Sequence, residues 1–461
     1  MQTSNGHVAL KRIKQISVKN LFGMFDHVIP LHIDERVTII HGPNGFGKTI
    51  ILRLLKALFK GDDGVLRDIP FDEFRVEFED GTDFWVTKTY SVVLGEHTSS
   101  ETGDEELYEQ TITFHANKED PFVLPLSDAP PPGTVVFKFK SDRTALVNAD
   151  LIVTDETHVF SPDTSGGWSI NYKLPEHWLT KMSPEWFTKI RKSVLVHFIE
   201  TQRLLYIDTR KQVGRTTFGS VRPAMMPVVK VYSEEIAATI KAKLAESSDL
   251  SQSLDKTFPA RVFNPKPEQS KITFDELRKR LAAINETRAK LSSVGLLDDD
   301  NSNGSAFQIE DEIDESKKIM LAVYVEDTEK KLGIFDDLEA KIGLLTRIIN
   351  KRFLYKQMTL DKDEGFIFTT TKSIDLPLEN LSSGEQHELV LFYQLLFKVT
   401  PGSLVLIDEP ELSLHVVWQE YFLRDLQEVT KLVNIDALIA THSPDIIHDR
   451  RDLIVELVGP E

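Results

Sequence analysis

The chain has 461 residues, 41% hydrophobic and 27% charged, ordinary for a globular protein and enough for two or three structural units. It contains no cysteine, which excludes disulfides and thiolate metal sites and suits a reducing compartment. Its net charge of −18 argues against a protein that coats bare nucleic acid through its overall field.

The N-terminus, MQTSNGHVALKRIKQ, has no apolar run of signal-peptide length. No stretch reaches the roughly 18 uninterrupted apolar residues that a membrane-crossing helix needs. The expectation is a cytoplasmic protein with no membrane partner. VTIIHG (Val37–Gly42) reads as a short buried strand ending in glycine. KTIILRLLKALFKG then takes helical spacing and stops at Gly61, a C-cap. Between them, Gly42-Pro43-Asn44-Gly45-Phe46-Gly47-Lys48-Thr49 fits G-x-x-x-x-G-K-[ST]. In such a loop the backbone N–H groups turn in on phosphates. Lys48 reaches the β and γ oxygens of a nucleotide, and the Thr49 hydroxyl can ligate Mg²⁺.

β-rich sequence follows. RVEFEDGTDFWV alternates on either side of Asp80–Gly81, a hairpin signal, and TITFH and TVVFKFK continue the style around a DAPPPG loop. SVLVHFIETQRLL (Ser193–Leu205) returns to a buried strand, and Gln202 near its end suits Mg²⁺ or an attacking water. From Lys181 to Lys230 there are ten Lys/Arg and three Asp/Glu, a local charge of +7. This run is either solvated surface or, through Arg203, Arg210, Lys211 and Arg215, a weak contact to nucleic acid. From about Ser233 to Arg352 the pattern is helical and polar, in segments too short for a long coiled coil. Within it, DDDNSNGS reads as a loop between helices.

GFIFTTT is again β-like. ENLSSGEQHELV (Glu379–Val390) opens a helix. Ser382 with Glu385, and Ser383 with Gln386, have capping-box spacing, and a capped helix start presents N–H groups to an anion. GSLVLIDEPELSLH and IDALIATHSPDII are two more buried strands with polar tips. Asp408 at such a tip can hold a Mg²⁺ water shell, and Glu409 can polarise a water as general base. His442 stands where a γ-phosphate sensor is needed, 33 residues beyond Glu409.

These residues resemble the ABC-type ATPases, in the soluble branch with RecF, Rad50, SMC and the OLD-like ATPases. Walker A (Gly42–Thr49), Q-loop (Gln202), signature (Leu381–Gln386), Walker B (Leu404–Glu409) and switch histidine (His442) occur in the family's order. DEPELSLH and THSPDII look especially like the AAA15 ATPases of bacterial anti-phage systems, such as the ATPase subunits of Septu and PARIS. The signature reads Ser383-Gly384-Glu385 where transporters have Gly-Gly-Gln, and His415 replaces the usual D-loop aspartate. The resemblance implies an α/β ABC-type head with a β-rich subdomain after the phosphate loop and a helical insertion between two lobes. The boundaries are 1–215, 216–352 and 353–461. It implies hydrolysis of ATP with Mg²⁺, Asp408 and Thr49 serving the metal and Glu409, His442 and Gln202 the reaction. It also implies that Ser382, Ser383, Gly384 and Glu385 of one copy cap ATP held by another, in a homodimer or larger assembly. Only 19 residues follow His442, without the nuclease domain that OLD nucleases carry. The expectation is therefore a sensor or scaffold governing a separate nuclease effector, with a DNA-repair ATPase of RecF or Rad50 type as the alternative.

Overall fold

A computed structural model describes residues 9–93, 107–124, 158–162, 168–172, 183–199, 205–215, 221–297 and 314–459. The elements begin with β1 (Ile13–Leu21), β2 (Phe25–Pro30), β3 (Val37–His41), α1 (Lys48–Lys60), α2 (Asp63–Asp68), β4 (Glu73–Phe78) and β5 (Asp83–Val93). They continue with β6 (Leu107–Ala116), β7 (Phe122–Val123), β8 (His158–Pro162), β9 (Trp168–Tyr172), α3 (Glu185–Ser193), β10 (Val196–Ile199), β11 (Leu205–Arg215) and β12 (Val221–Pro227). Five helices follow: α4 (Val228–Phe263), α5 (Pro267–Lys271), α6 (Phe274–Ser293), α7 (Glu315–Gly333) and α8 (Asp336–Arg352). The rest is β13 (Lys356–Asp361), β14 (Gly365–Thr370), β15 (Asp375–Leu376), α9 (Ser383–Tyr393), β16 (Leu404–Asp408), α10 (Val416–Val433), β17 (Asp436–Thr441), α11 (Pro444–Ile447) and β18 (Ile454–Glu456). The fold is mixed α/β.

The chain divides into two compact units, one of 1–34, 40–196 and 455–461, the other of 35–39 and 197–454. The helical run and the C-terminal motifs thus fall in one unit, where sequence patterning separates them at 352. A five-stranded sheet has the order β10-β16-β17-β3-β18. Its apolar runs are buried along their length, as in Val37–Ile40 and Leu404–Ile407, which is why they read as continuous rather than alternating.

In the first unit, β2-β1-β4-β5-β6-β7 make a sheet whose neighbouring strands all pair antiparallel. Alternating residues Phe74, Val76 and Phe78 point inward, and Phe59 of α1 packs on Phe78 and Phe84. The hairpin turns at Asp80–Gly81 as its sequence predicts, and α1 ends at Gly61 in the left-handed conformation. TVVFKFK and the DAPPPG loop lie outside the described residues.

In the second unit, α4 runs 36 residues, longer than its spacing predicts, and Val228–Ile240 carry its buried positions. Arg261 of α4 pairs with Asp327 of α7, and Arg280 of α6 with Glu329 of α7, so these helices pack on one another. The DDDNSNGS loop lies outside the described residues. The turn between β13 and β14 presses on α4 at Gly365, where φ is 80° and a Cβ would run into the Ser233 carbonyl. Ser233 fixes the contact, its hydroxyl donating to the Glu364 carbonyl (2.9 Å) and accepting from Phe366 N–H (2.8 Å).

Arg352, the last residue of α8, is buried between Glu388 of α9 and Asp425 of α10 and ion-pairs with both. Burial pushes its guanidinium below the ordinary value, and Asp425 pulls the other way. Arg352→Met would leave two carboxylates buried without a cation, and is expected to lower the unfolding free energy by about 3–5 kcal/mol in guanidinium titrations. A variant within about 1 kcal/mol of wild type would show that the carboxylates find other partners.

Candidate functional site

β3 delivers the chain into the phosphate loop at Gly42. Pro43, Asn44 and Gly45 are exposed, Phe46 and Thr49 are half-buried, and Gly42, Gly47 and Lys48 are buried. Gly45 and Gly47 have φ of 89° and 86°, the left-handed region. At Gly47 a Cβ would also stand 2.6 Å from the end of the buried Leu21 side chain, which would have to shift. Lys48 Nζ reaches back across the loop, donating to the carbonyls of Gly42 (2.7 Å) and Pro43 (3.0 Å). The first turn of α1 holds no acidic residue and no side chain caps it. The positive end of α1 and the Lys48 ammonium therefore meet at one loop, the electrostatic setting that a phosphate needs.

Asp408 ends β16, half-buried, in register with Ala440 of the parallel strand β17. Glu409 follows with φ 43° and ψ 60°, a left-handed conformation that a non-glycine residue holds only at a cost. Its N–H donates to the Ala440 carbonyl at 2.8 Å, and Pro410 then starts a single 3₁₀ turn. This sharp exit from the strand turns the Glu409 carboxylate toward His442, with Oε1 3.7 Å from Nδ1.

Glu411 is a candidate site residue that sequence reasoning missed. Its Oε1 accepts from the Thr441 hydroxyl (2.7 Å) and the His442 N–H (3.0 Å), and lies 3.1 Å from His442 Nδ1. Gln419 of α10 secures the same corner, donating to the carbonyls of Glu411 and Leu414 (3.3 Å each) and accepting from the Ser443 hydroxyl (2.8 Å). His442 is thus held between two carboxylates while its ring stays 44% exposed. The one available signal was the third acid of DEPELSLH, which by itself reads as surface charge.

At the signature, Ser382 is the N-cap of α9. Its hydroxyl accepts from Glu385 N–H (3.4 Å), and its own N–H donates to Glu385 Oε2 (2.7 Å), a complete capping box. The second expected pair, Ser383 with Gln386, does not form, because Ser383 is already helical and the Gln386 amide turns back to the Leu381 carbonyl (2.9 Å). Ser382 and Ser383 are exposed and Gly384 half-buried, whereas the Glu385 carboxylate is turned inward against Lys356 Nζ at 2.7 Å. His415 caps α10, its Nδ1 accepting from Val417 N–H at 3.4 Å, a place usually held by a short polar side chain. Gln202 and Arg203 lie outside the described residues. Arg210, Lys211 and Arg215 sit on β11, of which the backbone alone is described.

Residues 12–447 match the AAA ATPase domain family, AAA_15, and the chain belongs to that family. Protein ea59 of Escherichia phage lambda is 36% identical over 117 residues, 25% of this chain and 22% of that protein. Among solved structures, the Smc head domain of Pyrococcus furiosus, with an extended coiled coil and bound to the C-terminal domain of ScpA, aligns at 14% identity and a TM-score of 0.35. That alignment covers 98% of this chain and 96% of the other. The SMC head domain of Thermotoga maritima aligns at 12% identity and a TM-score of 0.35, covering 97% and 95%. No helix among the described residues is long and apolar enough to cross a membrane.

Burial opposes the charged form of Glu385, but hydrogen bonds from Lys356 and Ser382 outweigh it and hold the carboxyl below its ordinary 4.5. A carboxyl depressed in the folded state stabilises above its unfolded value and loses that contribution as pH falls through its folded value. The stability gap between wild type and Glu385→Gln should therefore be constant above about pH 5 and shrink on further acidification. Denaturant titrations at several pH values check this, and a gap independent of pH would contradict it.

Proposed function

We propose that this chain binds and hydrolyses ATP as an ABC-type head, two copies sharing each nucleotide, and that the cycle governs a separate effector. The observation that carries the reading is the strained Glu409 turn, which places a carboxylate beside a histidine braced from behind by Glu411. A structural turn has no need of such an arrangement; a residue that must face a reacting water does.

In this reading Lys48 and the first N–H groups of α1 hold the β and γ phosphates, as the open helix start and the inward-facing ammonium allow. The residues that would hold Mg²⁺ are Thr49 and Asp408, with Gln202, and their oxygen donors suit a hard cation. Bound there, the ion would supply charge neutralisation on the bridging phosphate oxygens. Glu409 takes the proton from the attacking water, and His442 donates to the γ-phosphate as charge builds on it. Glu411 and Gln419 keep the histidine in place through this step.

The pairing of heads has its own support. Next to the Glu409 turn, Leu412, Val416 and Val417 are 59%, 63% and 58% exposed, apolar side chains suited to being covered by a second copy. Ser382, Ser383 and Gly384 would then bring the start of α9 to the partner's phosphates. The Glu385 side chain, occupied with Lys356, serves through the cap. The route to an effector is supported by ion pairs: Glu385 to Lys356 of β13, and Glu388 to Arg352 of α8, tie the signature helix to the end of the helical run. That the effector is a nuclease acting in anti-phage defence rests on the resemblance of the motifs.

Mixing two inactive variants tests the shared site. Ser382→Arg should lose hydrolysis but keep nucleotide binding, and Lys48→Ala should be inactive. Mixed and exchanged, they should regain at most roughly half of wild-type activity, since each mixed dimer has one intact site of two. No recovery despite verified exchange, or normal hydrolysis by Ser382→Arg, would overturn the shared site.

A further inference from the structure

His27, on β2, belongs to none of the motifs, yet it is buried at 3% exposure with Nε2 3.0 Å from the Phe46 carbonyl, inside the phosphate loop. A carbonyl only accepts, so Nε2 carries the proton. Burial pushes the imidazole below its ordinary value, and the Phe46 carbonyl and Asp26 pull the other way. Phe25 stacks on His27 (centroids 5.6 Å apart, 19° between planes) and lies 5.3 Å from Phe46, so ring and loop share one wall. At the far edge of Phe46 stands Gly459, where a Cβ would be 3.1 Å from the ring. Leu21 of β1 meanwhile closes on Gly47.

The Phe46–Gly47 peptide is trans, and a planar trans peptide points its carbonyl and its N–H in opposite directions. Drawing the Phe46 carbonyl toward β2 therefore turns the Gly47 N–H away from β2. Were this peptide free to rotate, its carbonyl could face an incoming phosphate, oxygen against oxygen. We propose that His27 is a positioning residue for the phosphate loop: by holding the Phe46 carbonyl it presets the Gly47 N–H as a donor to a nucleotide phosphate. A loop already set in its binding geometry loses less freedom on binding, so the effect appears in affinity. The role rests on the reading of this loop as a nucleotide site.

Titration calorimetry with ATP and Mg²⁺ on the full chain tests it. His27→Phe keeps a flat apolar ring and removes the donor, and should raise the Kd about tenfold, the scale of one lost buried hydrogen bond. His27→Gln restores an N–H of similar reach and should recover most of the affinity, with the melting temperatures of both variants near wild type. An unchanged Kd in His27→Phe would overturn the proposal. Equal weakening in both variants would also overturn it, since packing rather than the donor would then matter. If His27→Phe does not fold, the ¹⁵N shifts of His27 in the wild type decide: the Nε2–H tautomer is expected, and the Nδ1–H tautomer overturns the assignment. Lys48→Ala separates the two levels of inference. Wild-type affinity in that variant would remove the nucleotide site itself, whereas weak binding there beside a normal His27→Phe would remove only the role of His27.

Discussion

One buried guanidinium organises the second unit of this protein. Arg352 is almost wholly buried, and its two carboxylate partners lie 36 and 73 residues further along the chain. A charge so placed is costly to bury and still costlier to strand, which makes the arrangement of α8, α9 and α10 all-or-none. Its contribution lies in specificity more than in stability. Glu388 can meet Arg352 only if α9 has the right rotation, and that rotation is what exposes Ser382 and Ser383 while turning Glu385 toward Lys356.

The corner at Glu409 follows the same logic at smaller scale. Left-handed backbone at a glutamate costs of order 1–3 kcal/mol and persists only where its surroundings insist. Here they do: the Glu409 N–H is held by the Ala440 carbonyl, Pro410 sets the next turn, and Glu411 is tied to Thr441 and to the His442 backbone. The two strand tips therefore act as one part, and Gln419 joins them to α10. Such a corner keeps a carboxylate and an imidazole facing each other without relying on either long side chain to find its rotamer.

Much of this was legible in the sequence wherever a single segment carries its own signal. β3, α1 and the Gly61 cap follow from an apolar run, a helical spacing and a glycine, and each is decided within about 15 residues. The Ser382–Glu385 box is legible for the same reason. What sequence reasoning missed depends on approach in three dimensions. Gln386 has the spacing to cap Ser383, but Ser383 is already inside the helix and Leu381 offers a nearer acceptor. Glu411 meets Thr441 and His442, and Gln419 meets Ser443, only when β16 and β17 lie side by side, and His27 gains meaning only when β2 passes the phosphate loop. The extent of α4 was hidden because its C-terminal two-thirds is largely exposed and carries little apolar patterning.

The central claim is that nucleotide joins two copies of this chain. Glu409→Gln keeps the Lys48 loop intact and cannot take up a proton at that position, so it should hold ATP without consuming it. Analytical ultracentrifugation of this variant at fixed concentration tests the claim most directly. The account predicts that MgATP doubles the sedimenting mass, that MgADP does not, and that adding Ser382→Arg abolishes the shift. A mass unchanged by ATP in a variant shown to have bound it would contradict the account.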